Sequence, residues 1–231
     1  MAMDNKKAKK YLIIGLIGAF LTLAGDLLIG CVKFPDDVNI LAGYYAAALE
    51  LPTWRPVLGG YLGFLGISLE VPGLLVIAGL FEKEMPKGAS FYKLSSYVYL
   101  AVAGGAVHFP CGIFMWLFHT GRDVAGEAAG YELAFRYMMY FLLPVAFLFS
   151  VFFIGSSFVQ FIAFLTKKTA FPRWYCLFNL MIFAGLFNSV RLLGNTPTVN
   201  GIATSNKSLG AILMFAAILA GYHKYIRSAG P

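Results

Sequence analysis

The stretch 57–81, VLGGYLGFLGISLEVPGLLVIAGLF, constrains the chain more than any other. It holds one charge, Glu70, near its centre. A helix of about 20 apolar residues crosses a hydrocarbon core of roughly 30 Å, so this run reads as a membrane span. A carboxylate at the bilayer midplane costs about 2.5–3.5 kcal/mol on insertion scales and should therefore face protein or water. Gly59, Gly63, Gly66, Glu70 and Gly73 recur at steps of three and four residues. That places the acid on a helical face small enough for close approach of a second helix. Pro72 follows the acid by two residues. Its ring frees the carbonyl of Ser68 and predicts a bend there.

The rest of the chain has the same character. Of its 231 residues 59% are hydrophobic and only 13% charged, against about 25% charged in soluble domains. No polar stretch is long enough for a separate soluble domain, so 1–231 reads as a single transmembrane domain. Apolar runs at 11–32, 57–81, 91–119, 136–165, 174–193 and 207–225 predict an all-α integral membrane protein, a bundle of six transmembrane helices. A basic tail ahead of the first run imitates a signal peptide, but Asp26 inside the run argues for a retained helix. Pro144 predicts a kink in the fourth span, and Gly194 to Asn206 reads as a loop that is not helical throughout.

The net charge of +7 is no sign of nucleic-acid binding, because the basic residues sit between the apolar runs. There they report topology. One side collects Lys6, Lys7, Lys9, Lys10, Lys83, Lys87, Lys93, Lys167, Lys168, Arg173, Lys224 and Arg227. The other holds Lys33, Arg55, Arg122, Arg136 and Lys207. This bias predicts that both termini are cytoplasmic in a cell-membrane protein. Cys31, Cys111 and Cys176 form no CxxC. A Cys31–Cys111 disulfide is open to a shared outer side, but small buried hydrophobes are the plainer reading.

Polar residues recur on small-residue stripes in other helices. Gly15, Ala19, Thr22, Asp26 and Gly30 form one; Ala101, Gly104, Gly105, His108, Cys111 and Gly112 another; Ala184, Gly185, Asn188 and Arg191 a third. His108-Phe109-Pro110 also repeats the spacing of Glu70-Val71-Pro72, a titratable residue two before a proline. At about 1.5 Å per residue, His108 lies roughly 5 Å, Asp26 and Asn188 roughly 7 Å and Arg191 roughly 11 Å beyond Glu70 towards the outer face. The expectation is one outward-facing cavity with Arg191 paired to Asp26 or Glu70. His119 and the Tyr44/Tyr45 segment would stand at its mouth. Each residue also has a plain reading: ion-pair neutralisation for Arg191, interhelical hydrogen bonding for Asn188 and Asn179, core packing for His108.

Several chemistries are excluded. The chain has no HExxH, P-loop, post-strand GxGxxG or GxSxG motif. Zinc on Asp26, Glu70 and His108 lacks the paired histidines such sites use, so neither metal nor cofactor is called for. The leading expectation is an intramembrane enzyme using acid–base chemistry on a lipid, sterol or isoprenoid-like substrate. Glu70 would donate the proton, His108 and Asp26 would act as base or orienter, and Arg191, Asn188, Tyr44, Tyr45 and His119 would contact the substrate. A small transporter or proton-coupled carrier, and a non-catalytic lipid-binding protein, are the alternatives. Membrane lipids, a hydrophobic or amphipathic small molecule and a homo-oligomer are the partners such readings admit.

Overall fold

A computed structural model describes residues 5–34 and 51–225, and every described secondary-structure element is helical. Helix α1 is Asn5–Gly30 and α2 is Trp54–Gly79. Helix α3 runs unbroken over Pro86–Ala125, with π-helical turns at Tyr99–His108. Helix α4 runs over Glu127–Leu165, with a shorter π stretch at Met138–Leu142. A 3₁₀ turn, Arg173–Leu177, precedes α5, Leu180–Asn188, which continues as a 3₁₀ turn to Leu193. Helices α6, Pro197–Thr204, and α7, Asn206–Tyr225, complete the described residues and meet at a 59° bend.

Among the described residues, four helices are long and apolar enough to cross a membrane, and a fifth if α6 and α7 form one broken span. This is a multi-pass helical membrane protein. The reading of 174–193 as one regular span fails at Asn179. That residue is extended and caps α5, its side chain accepting from the Met181 amide at 3.0 Å. Its amide donates to the Ser157 carbonyl of α4 at 2.8 Å, fixing the break against a neighbour. An asparagine offers the backbone a cap in place of a continued helix. The third and fourth runs are longer than their apolar cores suggest, and 120–130 is mostly helical, reversing at Gly126 with φ 88°. Thr196 caps α6 by accepting from the Val199 amide at 3.2 Å, which makes part of the predicted 194–206 loop helical.

The α1–α2 pair is packed backbone to backbone. A Cβ on Gly25 would lie 2.6 Å from the Gly59 carbonyl oxygen, and one on Gly59 2.8 Å from that of Gly25. Gly18 and Gly66 meet in the same way two turns along, and the buried Phe215 ring of α7 closes on Gly15 and Gly73. Glycine is required here because no side chain fits between the helices. Arg55 ties the ends together, its Nε donating to the Leu28 carbonyl at 3.0 Å. This satisfies one of the carbonyls left open at the end of α1. Two apolar clusters form, one around Leu12, Ile67, Ile77, Phe164 and Phe215, the other around Ile29, Phe114, Met115 and Phe118. Asp26 lies between them along α1, and Glu70 sits within the first, flanked on α2 by Ile67 and Leu74.

Candidate functional site

Glu70 is wholly buried, and both of its carboxyl oxygens have partners. Thr22 Oγ1 lies 2.8 Å from Oε1 and 3.1 Å from the Gly18 carbonyl of its own helix. A hydroxyl has one proton and two lone pairs, so Thr22 can receive one hydrogen bond while giving another. Tyr99 of α3 donates from its hydroxyl to Oε2 at the longer distance of 3.4 Å. Gly66 makes the Thr22 contact possible, because a Cβ there would overlap the threonine.

One turn further along α1 stands Asp26, 8% exposed. Ser208, in the first turn of α7, donates from Oγ to Oδ2 at 2.7 Å. His108 Nε2 approaches Oδ1 at 3.4 Å. The imidazole is backed by Gly63, where any Cβ would overlap the ring. Asp26 is also within electrostatic range of Glu70 and of Lys207. The Lys207 ammonium rests over Phe149 and Phe153, 4.8 and 5.7 Å from their centroids. Three of the residues singled out from sequence, Asp26, Glu70 and His108, therefore belong to one buried polar belt.

Sequence periodicity missed three members of that belt, and the π stretch accounts for one. Tyr99 and His108 are nine residues apart, which at 3.6 residues per turn puts them on opposite faces of an α-helix. A helix bonded from i to i+5 takes about 4.4 residues per turn, so nine residues make two turns. Tyr99 begins the π stretch and His108 ends it. Both consequently reach the acids of α1 and α2. The cue for such turns was the run Ala101 to Val107, rich in small residues and followed by Pro110. Ser208 and Lys207 stand at the start of the sixth apolar run, where periodicity gives no face, and the 59° bend before α7 accompanies the contact of that start with Asp26.

The remaining candidates lie elsewhere. Arg191 Nε donates to Asn188 Oδ1 at 3.3 Å and Nη1 to Asn200 Oδ1 at 3.4 Å, with the guanidinium 5.5 Å from the Phe34 ring centroid. Asn200 donates to the Val32 carbonyl and to Asn195, which in turn brackets the backbone of Phe34. This asparagine cluster fastens the end of α1 to α6. The expected pairing of Arg191 with Asp26 or Glu70 is absent from the ion pairs described for the two acids. His119 Nε2 lies 3.0 Å from the Leu51 carbonyl, a tether between α3 and the approach to α2. Tyr44 and Tyr45 lie outside the described residues. Cys31, Cys111 and Cys176 are unbridged.

Two small cavities are present among the described residues, the first of them touching the belt at Tyr99. One is enclosed by Tyr92, Ser95, Ser96, Tyr99, Phe149 and Ser156, among others. The second is a groove of about 110 Å³ between Val57, Tyr61, Phe109, Gly112, Ile113 and Trp116.

Fold and belt together define a class: a multi-pass helical membrane protein with two buried carboxyl groups, one of them against an imidazole. The chain belongs to a family of unknown function, DUF6796, whose model matches residues 3–225. No curated protein and no solved structure gives a match.

Proposed function

We propose that this protein is a proton-coupled carrier in which the buried belt passes protons. The observation that supports this most is the enclosure of Glu70: it has no exposed surface, and both oxygens are held by hydroxyl groups. A substrate needs contact with its catalytic acid, whereas a proton needs only a chain of exchangeable hydrogen bonds. Groups able to exchange protons are spaced along α1, α2 and α3. Tyr92, Ser95, Ser96 and Tyr99 line one cavity along α3, Tyr99 reaches Glu70, Glu70 meets Thr22, and Asp26, one turn on, meets Ser208 and His108. Ionisable groups in membrane interiors are costly and commonly mark ion paths.

The test is proton uptake into proteoliposomes holding a pH-sensitive dye under an imposed potential. Glu70→Gln keeps the shape and removes the exchangeable acid, and uptake should fall at least tenfold. Equal uptake in the two proteins would overturn the reading.

A second reading, an intramembrane enzyme on a lipid, sterol or isoprenoid, is favoured by the groove beside Phe109. The Phe109 ring meets Tyr61 edge-on at 4.9 Å, forming an apolar slot one residue from His108. Turnover of membrane lipid that is lost in His108→Gln, with proton uptake unchanged, would favour this reading over the first.

The topology we propose has six crossings and cytoplasmic termini. It counts the four long helices, the short apolar segment Leu180–Leu193 and the bent α6–α7 pair. The support is the bias of basic residues to the side of the termini. Terminal fusions to a reporter active only outside the cytoplasm should be silent. Activity at one terminus alone would remove Leu180–Leu193 from the crossings.

A further inference from the structure

We propose that the π stretch Tyr99–His108 is a register switch for the proton path, and that Tyr99 is the residue it moves. The inference rests on the proton-relay reading. In the structure the stretch holds Tyr99 and His108 on one face of α3, each against an acid. Tightened to α geometry, the same nine-residue interval spans two and a half turns. Tyr99 would then rotate half a turn away from His108, and Glu70 would lose its bond to α3.

Three observations make Tyr99 the moving partner. Glu70 is carried on α2, which is fastened to α1 by Gly18, Gly25, Gly59 and Gly66 with no room for displacement. His108 is seated against Gly63 and Gly60 of α2. Between them the stretch has open space at Gly105, where a Cβ would meet nothing within 4 Å. The two bonds on Glu70 are also unequal. Thr22 lies at 2.8 Å and Tyr99 at 3.4 Å, and a hydrogen bond weakens as it lengthens. Release of Tyr99 leaves the carboxyl group on Thr22 alone, on the helix that also carries Asp26. A carrier needs that alternation: the acid communicates with one side at a time. Wide turns within α-helices are frequent at functional sites.

The experiment separates a switch from a fixed scaffold. Deleting Gly104 and Gly105 leaves Tyr99 and His108 seven residues apart, about two turns of plain α-helix. The deletion therefore keeps the alignment and removes the wide turns. A scaffold would conduct normally in this form, whereas a switch would be locked. Proton uptake in the deletion variant should fall at least tenfold, and uptake at the full rate would overturn the proposal. A second measurement covers failure of that variant to fold. A nitroxide at position 97, where the tyrosine is 56% exposed, is carried on the half of α3 that turns. In the otherwise full-length protein in bilayers it should show two components, one mobile in lipid and one immobilised against protein. A single component at every pH between 5 and 9 would overturn the switch. Loss of uptake in Glu70→Gln together with a single component leaves the relay reading standing alone. Two components with no Glu70-dependent uptake leave the turn of α3 standing and overturn both the relay reading and the switch's place in it.

Discussion

Helices α2 and α3 carry the same local signal, a titratable residue two positions before a proline, and respond to it differently. In α2, Glu70-Val71-Pro72 lies in unbroken α-helix. In α3, the His108 of His108-Phe109-Pro110 is the last of ten residues of π-helix. Proline removes one backbone donor and crowds the carbonyl four residues back in either case. The surroundings differ. Around Pro72, Gly66 and Gly73 are pressed against Thr22 and the Phe215 ring, and widening the helix would drive backbone into both. Upstream of Pro110, Gly105 faces open space. Helix α4 repeats the second outcome: its π stretch ends two residues before Pro144, on a helix that leaves Phe141, Phe147 and Val151 exposed. Clamped helices absorb a proline without changing register, and unclamped ones take wider turns that re-pair the displaced carbonyls.

This contrast is open to direct attack. The largest effect is expected at Gly66→Ala. The added methyl would overlap Thr22, and overpacking of a closed interface costs on the order of 3 kcal/mol. Reversible unfolding in mixed micelles would read it, and a loss below 1 kcal/mol would show that α1 and α2 are not clamped. Thr22→Val comes next. It keeps the volume but leaves a buried carboxyl oxygen without its 2.8 Å partner, at about 1–3 kcal/mol. Arg55→Gln removes the bond to the Leu28 carbonyl and should cost about 1 kcal/mol, seen as faster hydrogen exchange in the last turn of α1. Gly105→Ala is the smallest. With nothing within 4 Å of the new methyl, it should lie within about 0.5 kcal/mol of the parent protein. A loss like that at Gly66 would erase the distinction between the two helices.

Much of the architecture is visible in the amino acids, because apolar length and the spacing of small residues are set by the bilayer and by helix geometry. Glycines at 59, 63, 66 and 73 announce the close face of α2, and the presence of Glu70 among them announces that the acid is buried. Tyr99 was invisible for the same reason that His108 was visible: a count in steps of three and four assumes α phase, and the π stretch shifts that phase by half a turn between them. The break at Asn179 was legible in principle, since an asparagine before Leu180-Met181-Ile182-Phe183 is a helix start. The apolar residues on both sides concealed it. The stripe Ala184, Gly185, Asn188 and Arg191 points Arg191 at the acids only if 174–193 is one regular helix, whereas the break at Asn179 and the 3₁₀ turn after Asn188 direct it towards Asn188 and Asn200. Ser208 depended on the bend between α6 and α7, a property of the tertiary fold.

The hairpin at Gly126 has a practical consequence. Helix α3 has 40 residues and α4 has 39. Even after allowance for the π turns, each approaches 60 Å, about twice the hydrocarbon thickness. Tilt absorbs only part of that excess. The two helices are joined near their tip by Gly121 and Gly130, whose backbones touch, and by Phe118 and Ala134 in the smaller core cluster. A paired helical tip of this kind would stand clear of the lipid as a stiff handle. An antibody fragment raised against its polar end, around Arg122, Asp123 and Glu127, would give a small membrane protein the rigid external mass that particle alignment in electron microscopy requires. The same reagent, applied to sealed cells, would report directly which side of the membrane that tip occupies.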